Sequence, residues 1–318
     1  MSKSKELKKI LFCGLENGGK TSILLLLDKK FSLLSTVKPT IKAKRTVHTN
    51  SLLGITVIRW DLGGQKSYRK IYLGHKSRYF TEMQSIFYVI DIQAPEKFEK
   101  SLLFLNDIVS LISDKHPKNF QFLILLHKCD PDIKNRTDIQ DNLNYIETEL
   151  LSIIKSSKFS IFKTSIYDDS TLIKAFSDGV FYATHKSNMF QTLLKDYMSK
   201  TYNSSTLLLD QNCFIIASRS TDDEYQKICE SVAPRLTQAL EKLEEWDINT
   251  VDIVTNIEFS QLSSNSHKEG IIFLRKLDIV DTRFYLVALC LNKNVKNRSY
   301  EYFPLLADNL KNLLESFE

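Results

Sequence analysis

Residues 8–22, KKILFCGLENGGKTS, constrain this chain more than any other stretch. An apolar run, Ile10 to Cys13, leads into Gly14-Leu15-Glu16-Asn17-Gly18-Gly19-Lys20-Thr21-Ser22, and an apolar, helix-favouring segment from Ile23 to Leu27 follows at once. This is G-x-x-x-x-G-K-[ST] in the context it needs, strand then loop then helix. Gly14 and Gly19 lack a Cβ, so the backbone can take positive φ and curl its N–H groups, with those of Glu16, Asn17, Gly18 and Ser22, round an anion. Lys20 sets a point charge on the β- and γ-phosphates of a nucleotide, and Thr21 offers a hydroxyl to Mg²⁺. The helix that follows aims its positive end at the same phosphates. Such a loop alone does not choose between ATP and GTP, nor between a switch and a motor.

The 318 residues suffice for about two domains. Apolar and charged fractions of 43% and 25% are those of an ordinary soluble globular protein. No apolar run approaches the roughly 20 residues that span a bilayer, and MSKSKELKK has no signal-peptide core. Ser2 stands where N-myristoylation requires glycine, and the terminal ESFE is no prenylation box. The expectation is a cytoplasmic protein recruited to any membrane surface only through a partner. The five cysteines are scattered and form no C-x-x-C pair, as expected of buried free thiols in a reducing compartment, and the six histidines form no metal-ligand cluster.

Charge marks a division. Residues 1–186 carry 29 Lys and Arg against 19 Asp and Glu, a balance of +10, whereas residues 187–318 carry 14 against 19, a balance of −5. A domain boundary near residue 186 is expected on that ground, with 1–186 as a nucleotide-binding domain and 187–318 as a second domain. The basic excess is modest and lacks interleaved aromatics, so no nucleic-acid partner is expected.

Within the first domain, regularity lapses over residues 31–42, a stretch holding Pro39-Thr40-Ile41. A mobile loop here would supply Thr40, its hydroxyl reaching Mg²⁺ and its N–H the γ-phosphate; taken alone, the tripeptide reads better as an ordinary Pro-Thr turn between strands. Residues 54–65 then give a β-rich strand ending in Asp61, a glycine pair and Gln65. A strand-end carboxylate holds Mg²⁺, the Gly64 N–H senses the γ-phosphate, and Gln65 orients the attacking water. Gln65 and Lys20 are therefore the candidate catalytic residues, and Thr21, Thr40 and Asp61 the candidate metal ligands. Residues 66–80, with Lys42, Lys44 and Arg45, form a basic, aromatic face suited to solvent, an acidic partner or an anionic lipid surface.

Two nearly continuous apolar strands follow, around residues 85–92 and 120–126, as expected of a parallel sheet covered on both faces. The second runs into His127-Lys128-Cys129-Asp130. A carboxylate there accepts from the N1–H and exocyclic amine of guanine, a pattern adenine does not supply. Lys128 lies along base and ribose, and His127 ties this loop to the phosphate loop. After a helix over 137–156 and a strand over 159–163, Thr164-Ser165-Ile166-Tyr167-Asp168 places Ser165 where its backbone N–H meets the guanine O6 and it braces Asp130, with Ile166 beside it as a further nucleotide-binding candidate. The order implies a doubly wound sheet with its ligand along one edge.

The set GLENGGKTS, PTI, WDLGGQ, HKCD and TSIYD resembles the small GTPases. HKCD and TSIYD look like the Rag/Gtr branch, while PTI and WDLGGQ also look like the Arf branch. Two residues depart from the common pattern. His127 stands where most small GTPases have Asn, so guanine selectivity rests more on Asp130. Glu16 stands where Ras-like proteins carry Gly beside the γ-phosphate, which would slow hydrolysis by crowding or charge.

Residues 187–318 read as helix 188–200, a hairpin 206–209 and 213–218, a long helix 222–246 with Pro234 as a kink, strands 251–259, 270–277 and 284–291, and a final helix 303–317. Thr221 to Glu224 reads as a capping box with Thr221 as the cap. This α+β order resembles the roadblock/longin-type domain, with a five-stranded antiparallel sheet after the six-stranded, mostly parallel sheet of the P-loop GTPase domain. The resemblance implies a homo- or heterodimer through residues 187–318, with helix 222–246 and the next strand as its surface. It further implies a roadblock-type scaffold, GTPase-activating and exchange proteins, bound GTP or GDP with Mg²⁺, and slow unaided hydrolysis. Alternatives left open are a nucleotide-locked dimeric scaffold that does not cycle, and a P-loop ATPase or kinase, which Asp130 and Ser165 oppose.

Overall fold

A computed structural model describes residues 6–28, 43–50, 55–74, 80, 83–112, 120–154, 159–181, 185–260, 267–279, 282–292, 294 and 296–316. The chain forms two compact units, divided between Val180 and Phe181.

In the first unit, β1 (Glu6–Gly14) pairs in parallel with β3 (Ile55–Leu62) on one side and β4 (Met83–Asp91) on the other. β5 (Gln121–His127) and β6 (Phe159–Thr164) extend the sheet in parallel, and β2 (Ala43–Asn50) closes the far edge antiparallel to β3. The order is β2-β3-β1-β4-β5-β6. Ile10 to Cys13 and Ile86 to Ile90 are buried almost without alternation, because helices cover both faces. Those helices are α1 (Lys20–Leu27), α2 (Lys66–Gly74), α3 (Phe98–Ile112), α4 (Thr137–Ile153) and α5 (Asp169–Phe181). Phe12 stacks on Phe87 with centroids 4.7 Å apart, and Phe87 on Phe176 at 5.9 Å. Each fully buried ring contributes about 2–3 kcal/mol through area removed from water. Parallel strands all end at one edge, so the loops after β1, β3, β4, β5 and β6 gather there.

The basic face expected after Gln65 is helical over Lys66–Gly74. Within α2, Tyr72 is buried, Tyr68 and Arg69 are half-buried, and the Arg69 guanidinium lies 5.2 Å from the Phe104 ring centre. Lys66 and Lys70 keep to solvent, as do Lys44 and Arg45 on β2.

The second unit runs α6 (His185–Thr201), β7 (Ser205–Asp210), β8 (Ile215–Ser220), α7 (Asp223–Glu245), β9 (Asp252–Ser260), β10 (His267–Ile279), β11 (Thr282–Cys290) and α8 (Lys296–Glu315). Its antiparallel sheet has the order β8-β7-β11-β10-β9. Cys229, Ala233 and Leu240 of α7 pack on Leu207, Leu209, Ile272, Leu274, Tyr285 and Val287. On α6 and α8, Tyr197 meets Phe303 at 6.2 Å and Phe303 meets Phe273 of β10 at 5.5 Å.

Two local expectations are corrected. The cap of α7 is Asp222, which accepts from Glu224 N at 2.8 Å, whereas the Thr221 hydroxyl donates to Ser204 O at 3.1 Å; a cap needs its oxygen facing the helix, and that of Thr221 is turned to the loop between α6 and β7. The last helix begins at Lys296, seven residues before Phe303, and carries Pro304 inside. Ser299 donates to Asn203 Oδ1 at 2.6 Å, and Asn203 donates to the Tyr197 hydroxyl at 2.7 Å. These buried bonds hold the early turns despite the N–H that Pro304 lacks.

Candidate nucleotide-binding site

The loop after β1 owes its shape to residues that tolerate left-handed backbone. Gly14 (φ 137°) lies so near Val89 O that a Cβ would overlap it, and Gly19 (φ 91°) sits immediately before α1. Asn17 (φ 61°) takes the left-handed region that Asn accepts more readily than most residues. Lys20, buried as the first residue of α1, donates Nζ to Leu15 O at 2.7 Å and Gly14 O at 3.2 Å, so its ammonium lies inside the curl. Burial pulls the Lys20 pKa down, against Asp61 foremost, then Cys13 and Glu16, which pull it up. Burial also pushes the Cys13 thiol up to about 12, which leaves it protonated and inert. Gly18 is buried, Ser22 half-buried and Asn17 exposed.

The Thr21 hydroxyl donates to Asp61 Oδ2 at 2.8 Å, joining the phosphate loop to the end of β3. Both are hard oxygen donors, the kind Mg²⁺ takes. Among the described residues no three His, Cys, Asp or Glu side chains gather as a metal cage. An ion held by Thr21 and Asp61 would complete its shell with phosphate oxygens and water. Thr40, the third expected ligand, lies outside the described residues.

Beyond Asp61, Gly63 and Gly64 are buried. A Cβ on Gly64 would overlap Glu16 N and the Leu15 carbonyl, so the glycine backbone lies directly on the phosphate loop. Glu16 is half-buried, and its Oε2 is buried without a hydrogen-bond partner among the described residues. The Gln65 side chain is exposed, while its carbonyl accepts from Tyr68 N and Arg69 N to start α2.

At the other end of the edge, His127 is buried with its ring against Gly19; a Cβ there would stand 2.5 Å from Cδ2 and 2.7 Å from Nε2. His127 Nδ1 lies 3.1 Å from Thr164 Oγ1. Burial first, then the Lys128 charge, lowers its pKa from 6.5 to about 4, so the imidazole is neutral near pH 7. Lys128 takes φ 63° and donates Nζ to Asp91 Oδ2 at 2.6 Å. Asp130 accepts at Oδ1 from the Ser165 hydroxyl, and Ser165 Oγ accepts in turn from Tyr167 N at 3.0 Å. The Ser165 N–H, expected to meet the guanine O6, instead donates to Thr171 Oγ1 at 3.2 Å, so Ser165 braces Asp130 through its hydroxyl alone; Ile166 is half-buried beside it.

Apart from Thr40, the sequence-derived set converges on one edge, with the phosphate-end and base-end residues joined through the Gly19–His127 contact. The sequence reading missed Asp91, Gln93 and Thr164. An Asp ending the apolar strand β4 carries the same signal as Asp61 ending β3, and could have been read the same way.

This topology and this order of strand-end residues define a P-loop small GTPase domain followed by a roadblock-like domain. Residues 9–257 match the Gtr1/RagA G protein conserved region. The chain is 25% identical over 289 residues to GTP-binding protein GTR1 of Saccharomyces cerevisiae, covering 82% of this chain and 90% of that protein. It is 30% identical over 142 residues to the yeast ADP-ribosylation factor-like protein 3, 43% of this chain and 66% of that one. Among solved structures, the Arl6 BBS3 small GTPase of Trypanosoma brucei with bound GppNp covers 54% of this chain and 95% of its own, at 16% identity and a TM-score of 0.43. That score is too low to bear on the fold, which rests on the strand order above. The chain belongs to the Gtr1/RagA family of G proteins, a Rag/Gtr-type small GTPase with Arf-like features.

Proposed function

We propose that this protein is a GTP/GDP switch that binds Mg²⁺, hydrolyses GTP slowly unaided, and pairs through residues 187–318 with a second C-terminal domain of the same type. The observation that carries the nucleotide assignment is the joining of the Lys20-Thr21 loop to Asp61 at one end and of Asp130 to Ser165 at the other. Gly14, Glu16, Asn17, Gly18, Gly19 and Ser22 would present backbone N–H groups to the phosphates, with Lys20 supplying the compact charge. Thr21, Asp61 and Thr40 would hold Mg²⁺, and Gly64 would report the γ-phosphate. Asp130 would accept from guanine, with Ser165, Ile166, His127 and Lys128 fixing its surroundings.

Hydrolysis would be positioning plus electrostatics, with Gln65 orienting water. The exposure of Gln65 supports slow turnover, since an unheld side chain orients water only part of the time. An activating partner would restrain it, an exchange protein would reload the site, and a roadblock-type scaffold would carry the dimer to a membrane surface from the cytoplasm. For the dimer, the supporting observation is that β9 is an edge strand with Val254 exposed, just after exposed Trp246, Ile248 and Val251.

The placement of Gly64 on Leu15 and Glu16 favours a second reading, a nucleotide-locked dimer scaffold that does not cycle. Single-turnover phosphate release from GTP-loaded protein tests the choice. Release that Gln65→Leu abolishes supports the switch, and no release with any activating partner supports the scaffold.

A further inference from the structure

The base-reading carboxylate has a second neighbour, from the turn after β4. Gln93, two residues beyond the end of that strand, donates Nε2 to Asp130 Oδ2 at 3.0 Å and to Lys128 O at 2.8 Å. Both partners are acceptors, so the amide nitrogen is the only end of the side chain that fits there. The segment carrying it is fixed in turn: Gln93 N donates to Asp91 Oδ1 at 3.0 Å, and Lys128 Nζ reaches the other oxygen of Asp91 at 2.6 Å. Left-handed backbone at Lys128 accompanies this arrangement. The loops after β4 and β5 are thus stitched together by two side chains, Gln93 and Lys128.

From this we infer that Gln93 is a positioning residue for guanine recognition, holding the Asp130 carboxylate in the orientation that meets the base. The inference rests on the proposal that Asp130 reads guanine. Each carboxylate oxygen has two lone-pair sites. Ser165 takes one on Oδ1 and Gln93 one on Oδ2, which leaves one on each oxygen for the two donors of guanine. Without Gln93, Oδ2 is tethered only through Oδ1, and the carboxylate can turn about its Cβ–Cγ bond. A base that needs both oxygens in its own plane then meets a less ordered acceptor.

Dissociation of a fluorescent GDP analogue tests this, in wild type, Gln93→Leu, Asp130→Ala and the double variant. Gln93→Leu is expected to speed dissociation about tenfold, the scale of one hydrogen bond to a charged group. Gln93→Glu, of the same shape but unable to donate and negative beside Asp130, is expected to speed it further. In the Asp130→Ala background, Gln93→Leu is expected to change the rate less than twofold, because its effect runs through that carboxylate. Equal losses in both backgrounds would show a merely structural loop contact and overturn the inference. An unchanged or slower rate in Gln93→Leu would overturn it too, the slower rate marking Gln93 as a competitor of the base. Asp130→Asn keeps the two failures apart: an amide there should turn preference from guanine toward xanthine, whose 2-oxo group accepts where guanine donates. If Asp130→Asn leaves base preference unmoved, the guanine reading itself fails. If it turns the preference while Gln93→Leu does nothing, only the role of Gln93 fails.

Discussion

Thr21 donates its hydroxyl to Asp61 Oδ2 at 2.8 Å, so the first residue after the phosphate-loop lysine is already tied to the end of β3. A divalent ion held by the two, as proposed, would replace a contact the fold has made ready. Asp61→Asn removes one unit of charge from that pair while keeping its shape. Chelation should speed nucleotide release strongly in wild type and about tenfold less strongly in Asp61→Asn, read as the ratio of release rates with and without chelator. Equal ratios would remove Asp61 from the metal site.

Gly19 has no room for a Cβ against His127 and holds φ at 91°. Gly19→Ala combines overpacking with a strained left-handed residue, a cost of about 2–4 kcal/mol. Calorimetry should show the nucleotide-free first unit melting roughly 5–10 °C lower. An unchanged transition would mean that the His127 ring moves aside freely, and that the two ends of the site are not coupled through it.

His127 gives the fold a pH dependence of defined sign. Its folded pKa, about 4, lies below the ordinary 6.5, so between these values the unfolded chain binds a proton that the folded chain refuses. Stability is therefore intact above pH 6.5 and falls as pH drops toward 4, by up to roughly 3 kcal/mol from this residue. His127→Asn should flatten that part of the denaturation profile. A profile identical to wild type would show that the ring titrates freely.

The exposed edge of β9 carries the dimer proposal. Val254→Lys places a charge at the third residue of that strand, a substitution that blunts edge pairing. Light scattering at micromolar concentration should show the dimer mass falling to that of single chains. A monomeric wild type, or a Val254→Lys dimer of undiminished affinity, would move the interface elsewhere.

Much of this was legible because local chemistry dictated it. Glycines at 14 and 19 announced left-handed turns, apolar runs announced strands covered on both faces, and the carboxylates at 61 and 130 announced strand ends facing a ligand. The misread parts depend on contacts distant in sequence. Thr221 is the better cap by spacing, yet its hydroxyl is claimed by Ser204. Phe303 marks the start of a helix if Pro304 must lie near its N-terminus, but Ser299 bonds to Asn203, 96 residues away, and helix extends back to Lys296. The basic stretch after Gln65 carried no secondary-structure assignment from its sequence; burial of Tyr72 fixes the helix that forms there. Gln93 has no motif, since its role comes from a neighbour 37 residues on.

The central claim is that the edge joining Lys20, Thr21, Asp61 and Asp130 selects a guanine nucleotide, and competition binding tests it most directly. A fluorescent GDP analogue bound to the full chain with Mg²⁺ should be displaced by stoichiometric GDP or GTP and should resist a hundredfold excess of ATP. Displacement by ATP as readily as by GTP, or failure of the analogue to bind at all, would contradict the account.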